Sequence, residues 1–224
     1  GTVALTSAGA ISDDGDASTL ITADVLTGTA AGAITVDTTV ASATLTTSTA
    51  GAIDVDETDA ITLTSLANNG SITVDAGGKI TATSVVSGTN SDANDVSLNG
   101  TEIAVTRVDA LADGDVTLTS GTGSITDTSA GLTGITADAL KATSADAITV
   151  DTSVASVELT AVNAAVVTEA SDLVLVGLTA GSSDVTTNGA ITDTGNLSVG
   201  GEAKFTSGGN AITLGDTTTA NFGK

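Results

Sequence analysis

Short stretches in which apolar and polar residues alternate run along most of the chain. One of them, Gly32–Asp37 (Gly-Ala-Ile-Thr-Val-Asp), returns as Gly51–Asp56 and again as Gly70–Asp75, 19 residues further on each time. Alternation with a period of two is the pattern of a β-strand with one buried face. We therefore expect the Ile and Val of each stretch to point inward, and the closing Asp to lie where the chain turns.

A unit of about 19 residues with two or three short strands cannot bury its own apolar face. It can do so by stacking on copies of itself, with a rise of about 4.8 Å per coil. The pattern thus predicts an all-β fold, a right-handed parallel β-helix, in which residues 1–224 form a single continuous β-solenoid. In this arrangement Ile34, Ile53 and Ile72 should stack in one internal column.

A longer duplication overlies the 19-residue repeat. Ala33–Thr38 (Ala-Ile-Thr-Val-Asp-Thr) returns 114 residues later as Ala147–Thr152, and the residues around both copies match as well. We expect two tandem copies of about 112 residues, 1–113 and 114–224, with roughly twelve coils and a length of about 57 Å. The alternative is a pair of immunoglobulin-like sandwiches, which would require the core Trp, Tyr or Cys residues and loop prolines that this chain lacks.

Composition narrows the possible functions. The chain has 27 acidic and five basic residues, a formal net charge of −22, and no His, Cys, Met, Trp, Tyr or Pro. Nucleic-acid binding needs clustered Lys and Arg, which are absent, and no apolar run approaches the roughly 20 residues of a membrane span. With Arg107 as the single arginine and no His or Tyr, a catalytic site is not expected. We predict no enzyme, no catalytic residues and no cofactor.

Two groups of residues could still carry chemistry. Asp13–Asp16 and Asp54–Asp59 concentrate carboxylates of the kind that Ca²⁺ prefers, but neither fits a known calcium loop. We interpret them as solvated strand-end turns and predict no metal site. Threonine runs at Thr44–Thr47, Thr62–Thr64 and Thr217–Thr219 could form a flat ladder like that of ice-binding β-helices. The simpler interpretation is that a good β-former fills outward strand positions.

The motif Val-x-Leu-Thr-Ser…Gly-x-Ile-(Ser/Thr)-Asp occurs at Val3–Asp13 and Val116–Asp127, and its second half returns at Gly189–Asp193. With these motifs, essentially the whole chain resembles the repeat regions of filamentous haemagglutinin-like exoproteins and giant bacterial surface adhesins. The resemblance implies a secreted β-helical rod that serves in adhesion, biofilms or surface filaments. It also implies an extracellular location at the bacterial cell surface.

We therefore expect a non-enzymatic rod segment of a giant adhesin or extracellular filament. The alternatives are a surface module that binds a glycan, a cell surface or calcium, and an S-layer-type lattice protein. The segment Ser87–Asn94 lengthens one coil and is the best candidate for a grafted loop, although its polarity favours a simple turn. Neither terminus carries a capping feature, so the expected partners are adjacent repeats or further copies, stacked end to end. A host, neighbouring-cell or matrix surface is a further possible partner.

Overall fold

A computed structural model describes residues 1–15, 18, 20–215 and 219–223. Asp16 of the first acidic group, Thr217 and Thr218 of the last threonine run and Lys224 lie outside the described residues. The described part consists of β-strands and the turns that join them. It contains no helix long and apolar enough to cross a membrane.

The strands pair in parallel with strands of the neighbouring coils. In chain order they are β1 Thr2–Ser7, β2 Ile11–Ser12, β3 Ile21–Ala30, β4 Ile34–Thr47, β5 Ile53–Glu57, β6 Ile61–Asn68, β7 Ile72–Ala76, β8 Ile80–Ala82, β9 Val85–Ser87, β10 Val96–Gly100, β11 Ile103–Val105, β12 Val108–Asp109, β13 Val116–Ser120, β14 Ile125–Asp127, β15 Ile135–Ser144, β16 Ile148–Ala161, β17 Ala164–Glu169, β18 Leu173–Ala180, β19 Ser182–Thr187, β20 Ile191–Asp193, β21 Leu197–Val199, β22 Ala203–Ser207, β23 Ile212–Thr213 and β24 Ala220–Phe222.

The inward residues of successive coils stack in columns. One column on each side serves here to define the three sides of the solenoid. Side 1 is the column Ile34, Ile53, Ile72, Val96, Val116, Leu140, Val157. Side 2 is the column Ile61, Ile80, Ile103, Ile125, Ile148, Ala165. Side 3 is the column Leu45, Leu66, Val85, Val108, Ile135, Thr152, Glu169.

The predicted all-β parallel solenoid is confirmed, and so is the predicted column. Ile53 pairs with Ile34 on one coil and with Ile72 on the next, at 19-residue steps, and all three side chains are buried. Other steps are longer, such as 24 residues from Ile72 to Val96 and 27 residues from Val108 to Ile135. For this reason the chain completes about eleven coils and not the predicted twelve.

The segment Ser87–Asn94 lengthens one coil to 24 residues, and asparagine side chains hold its loop against the neighbouring coils. The Asn94 amide donates to the backbone carbonyl of Asn69 at 3.2 Å, and the Asn90 amide donates to Asp113 Oδ2 at 2.7 Å. Fixed in this way, the loop is a turn excursion, as its polar composition indicates.

Small polar side chains replace apolar ones inside the core where strands end. Ser144 is buried, and its hydroxyl donates to the carbonyl oxygens of Gly123 at 2.8 Å and Ala147 at 3.1 Å. Ser120 bonds the Gly123 carbonyl in the same way at 2.6 Å. A corner carbonyl that lacks a strand partner must be paired inside the protein. Inward hydroxyls at strand ends therefore allow the chain to turn without leaving buried acceptors unpaired.

The predicted place of the aspartates that close each 19-residue repeat is wrong. Asp37, Asp56 and Asp75 lie within strands, at outward positions, and the strand continues after each of them. In β4 it continues without a break to Thr47, although the sequence pattern indicated two separate strands. An outward Asp keeps its carboxylate in water, so it does not have to end the strand.

Strand lengths and hydrogen bonds repeat at the 114-residue offset. β3 and β15 both have ten residues, and β4 and β16 both have fourteen. The Asp13 carboxylate accepts the amides of Gly15 and of Asp37 on the next coil. Asp127, its counterpart 114 residues later, accepts the amide of Asp151 on the next coil at 3.2 Å. The duplication thus extends to the contacts that join one coil to the next.

Candidate functional site

Asp54 and Asp56 of the second acidic group lie on the outer surface of side 1, in register with residues of the neighbouring coils. Asp37 faces Asp56, and Asp56 faces Asp75, so that three carboxylates form a row along the solenoid axis. On the following coil Asn99 occupies the same position, and its amide donates to Asp75 Oδ1 at 2.8 Å. We call Asp37, Asp56 and Asp75 the acidic ladder.

Burial and neighbouring negative charges make two carboxylates of this surface, Asp56 and Asp54, harder to ionise. The pKa of Asp56 is raised, first by partial burial and then by the negative charges of Asp54 and Asp75. The pKa of Asp54, which lies beside the ladder, is raised by burial and next by the charge of Asp75. Like charges one strand spacing apart repel each other. The ladder therefore costs folding free energy when it is fully ionised.

The carboxylates do not converge on a point. Within the described residues, no three acidic side chains are placed to hold a metal ion together. Asp54 and Asp56 are successive outward residues of β5, and Asp59 lies in the turn that follows, where its amide donates to Glu57 at 3.3 Å. A row parallel to the axis can attract cations diffusely, but it lacks the enclosing geometry of a calcium cage.

Two aspartates should respond in opposite ways to neutral substitution. Asp56→Asn removes like-charge repulsion, so at neutral pH we expect the free energy of unfolding to rise. Because solvent screens the ladder, the rise should lie at the lower end of the range of about 0.2–1 kcal/mol. The gain should vanish as the pH falls through the raised pKa of Asp56, where the wild-type carboxyl is itself protonated.

Asp146 is the matched control for Asp56. Hydrogen bonds from Ser124 and Asn163 lower the pKa of Asp146, so its carboxylate stabilises the fold at neutral pH. Asp146→Asn should therefore lower the melting temperature at neutral pH. The loss should disappear as the pH falls below the ordinary Asp range, through the lowered pKa. Thermal melts between about pH 3 and pH 8 measure both variants, and shifts of the same sign at neutral pH would contradict this account.

A flat face without charges covers the outer surface of the first coils. It is formed by outward residues of β1, β3, β4 and β6, which lie in register over four coils. Neighbouring positions are about 4.8 Å apart across the strands and about 7 Å apart along them. We call this array the hydroxyl face; its members are Thr2, Ala4, Thr6, Val25, Thr27, Thr29, Ser42, Thr44, Thr46, Thr62, Ser65 and Ala67. Thr44 and Thr46 of one threonine run and Thr62 of another thus lie in one array, at the outward strand positions that the sequence interpretation favoured.

The corresponding face of the second copy carries charges. Lys141 and Glu158 occupy the positions equivalent to Thr27 and Thr44, and they form an ion pair at 3.0 Å. Both side chains are about half exposed, so the pair contributes little to stability. The two copies therefore share a backbone but present chemically different surfaces.

Every basic side chain of the described chain lies in an ion pair with a carboxylate. The pairs are Lys79–Glu102 at 2.7 Å, Arg107–Asp109 at 2.8 Å, Lys141–Glu158 at 3.0 Å and Lys204–Asp184 at 2.9 Å. Anion binding requires cations that are free to face the ligand. These contacts leave the outer surface acidic or neutral.

Sequence reasoning missed two buried glutamates, one in each copy. Glu57 and Glu169 are 4% and 1% exposed. One carboxylate oxygen of Glu57 accepts the Thr38 hydroxyl at 2.8 Å and the Val40 amide at 3.0 Å. A buried charge is tolerated only when it is fully hydrogen-bonded, and this carboxylate meets that condition.

Glu169 repeats this arrangement in the second copy. One of its oxygens accepts the Thr152 hydroxyl at 2.8 Å and the Val154 amide at 3.0 Å, and the other accepts two bonds from Ser171 at 2.9 Å. A signal was present in the sequence. Alternation places the residue after outward Asp56 inward, and Glu occupies that inward position in both copies.

Part of the chain matches a known repeat family. Residues 161–223, just over a quarter of the chain, match a family model described as repeats of unknown function (DUF5649). Neither a curated protein nor a solved structure matches the chain. The match covers the coils from the end of β16 to β24. Over these coils the chain is similar to a repeat family, in agreement with the β-solenoid architecture.

Proposed function

We propose that this chain is a structural rod segment of a giant secreted bacterial adhesin or extracellular filament, with no enzymatic activity. The implied location is the bacterial cell surface. The implied partners are coils of the same kind stacked end to end, and a host, neighbouring-cell or matrix surface beside the rod. The resemblance of the repeat motifs to haemagglutinin-like exoproteins supports this assignment.

One observation carries the proposal, namely the continuity of the core. Buried apolar side chains follow one another from Leu26 to Val199 in a single cluster, and parallel pairing joins each coil to the next. Such a molecule is stiff along its axis because bending must open strand pairs on one side. The outer surface of the described coils offers ladders and flat faces, with acidic groups in rows along the axis. A rod acts through length and stiffness, which this architecture provides.

Imaging of the native material tests the rod function. Antibodies against residues 1–224 should label intact cells, and cryo-electron microscopy should place the labelled chain within a straight rod with a repeat of about 4.8 Å along its axis. Protease treatment of intact cells should remove the label. Retention of the protein in the cytoplasmic fraction, or its presence in compact particles without an axial repeat, would contradict the proposal.

The hydroxyl face favours a second candidate function, lateral binding of a glycan. Rows of hydroxyl and methyl groups without charge can contact a neutral, extended polysaccharide over several coils. Replacing Thr27 by Lys and Thr44 by Glu reproduces the charged pattern of the second copy. If the face binds glycans, this double variant should lose binding on a glycan array while its melting temperature stays within about 2 °C. Equal binding by both proteins, or no binding by wild type, would contradict this candidate.

A further inference from the structure

Equivalent residues of the two copies lie on different sides of the solenoid. Ile34 stacks on side 1, whereas Ile148, 114 residues later, stacks on side 2. Leu45 stacks on side 3, whereas its counterpart Leu159 stacks on the continuation of side 1. The second copy is therefore turned by one side of three relative to the first.

The structure changes its cross-section at Glu57. In the coils before it, residues 38–40 of β4 form a short side that pairs back onto residues 21–23 of β3. On the following coil, Thr39 and Val40 have no strand partner among the described residues. Instead, the Glu57 carboxylate accepts the Val40 amide, and the Thr58 amide donates to the Thr38 carbonyl at 3.0 Å.

The adjacent long side divides on the same coil. Residues 42–46 of β4 pair with β6, but the register shifts after Ala43 because Thr64 is an extra residue in β6. Residues before this bulge continue into side 2, and residues after it continue into side 3. One side thus ends at Glu57 while another divides at Thr64, and the coil keeps three sides.

The same two events recur in the second copy. Glu169 accepts the Val154 amide, and the Ala170 amide donates to the Thr152 carbonyl at 3.1 Å. Val176 is the extra residue at a register shift in β18, and it comes seven residues after Glu169. Thr64 likewise comes seven residues after Glu57. Here the long side that divides is the continuation of side 1.

We infer that each buried glutamate, with the extra residue seven positions later, is a side-changing site that turns the repeat pattern by one side per copy. The carboxylate replaces the missing strand at the end of the short side, so that the side can stop inside a folded protein without unpaired amides. Tandem copies therefore present their equivalent outer surfaces on successive sides. A partner that recognises outward residues that both copies share, such as Asp37 and its equivalent Asp151, meets them from a new direction at each copy. This is a property of partner presentation that the rod function alone does not require.

Disulfide trapping tests the turned arrangement in the full chain, whose described part has no cysteine. Thr119 and Thr143 face each other across adjacent coils of side 1, so T119C/T143C should form a disulfide on oxidation. Thr29, the residue equivalent to Thr143, begins a column on side 3 that continues through Thr46, Ala67, Val86 and Asp109. If the copies were stacked without the turn, residue 143 would follow Asp109 in this column. Cross-linking of D109C/T143C instead of T119C/T143C would overturn the inference.

Hydrogen exchange tests the role of the carboxylate. In E169A, exchange of the Val154 amide should become at least about tenfold faster, while Val40, held by the intact Glu57, provides an internal control. E169Q should keep most of the protection, since its amide oxygen can accept the same bonds. E57A should give the reciprocal result, and E158A, at an exposed position of the same copy, should affect neither amide. Unchanged Val154 protection in E169A, or equal losses at both amides, would overturn the assigned role.

Discussion

Replacing Ile53 by aspartate is expected to unfold the coils around it and to cost roughly 3–5 kcal/mol. Ile53 is fully buried between Ile34 and Ile72 in the column of side 1. An aspartate there would place a charge among apolar side chains with no hydrogen-bond donors to compensate it. Because each coil contacts only its neighbours, the damage should stay local. Limited proteolysis with mass mapping should show new cleavage between residues 48 and 76.

Thr62→Asp is the matched control for Ile53→Asp. Thr62 is an outward residue of β6, paired with Ser42 and Thr81, so a charge at this position remains in contact with water. We expect a change within about 0.5 kcal/mol and no new cleavage site. Comparable loss of protease resistance in the two variants would show that the inward and outward faces are assigned the wrong way round.

Gly195→Ala is expected to have the second largest effect. An added Cβ at this position would lie 1.6 Å from the carbonyl oxygen of Val176, the extra residue of the β18 bulge. That oxygen belongs to backbone, so the coil must shift, and we expect a loss of roughly 1–3 kcal/mol. Hydrogen exchange should be faster from β18 to β21, while the first copy should be unchanged.

Gly121→Ala provides the comparison for Gly195→Ala. Its added Cβ would come no closer than 3.7 Å to a neighbouring atom, the carbonyl oxygen of Gly100. With room for the methyl group, the main effect is a smaller entropy of the unfolded chain, worth about 0.4–1 kcal/mol in favour of folding. Melting temperatures should therefore move in opposite directions. A similar decrease in both variants would mean that the bulge carbonyl is not the cause.

The 19-residue recurrence was sufficient to predict the fold because stacking strands must keep their register. Once Ile34, Ile53 and Ile72 are assigned as inward, their neighbours in the column follow from alternation. The places where the chain turns were not predictable in this way. An outward Asp is compatible both with a strand and with a turn. At Asp37 the chain continues as a strand, in which the next residue, Thr38, points inward.

The buried glutamates show the other limit of sequence reasoning. Alternation alone assigns Glu57 an inward position, but charged residues are almost never fully buried unless they are paired. The donors that make burial possible, Thr38 and Val40, lie on the preceding coil and become neighbours only after stacking. For the same reason the sequence suggested a threonine ladder but not the members of the hydroxyl face, since these depend on which strands lie side by side.

Ionic conditions should govern how closely such rods can lie side by side. With a net charge of −22 spread over about eleven coils, the molecule carries roughly one negative charge per 2.4 Å of its axis. Double-stranded DNA carries one per about 1.7 Å, so the two linear charge densities are of the same order. A polyanion of this kind gathers a diffuse layer of counterions. At 0.1 M salt, repulsion between neighbouring rods should fade beyond about 10 Å, and in dilute media it should reach about three times as far.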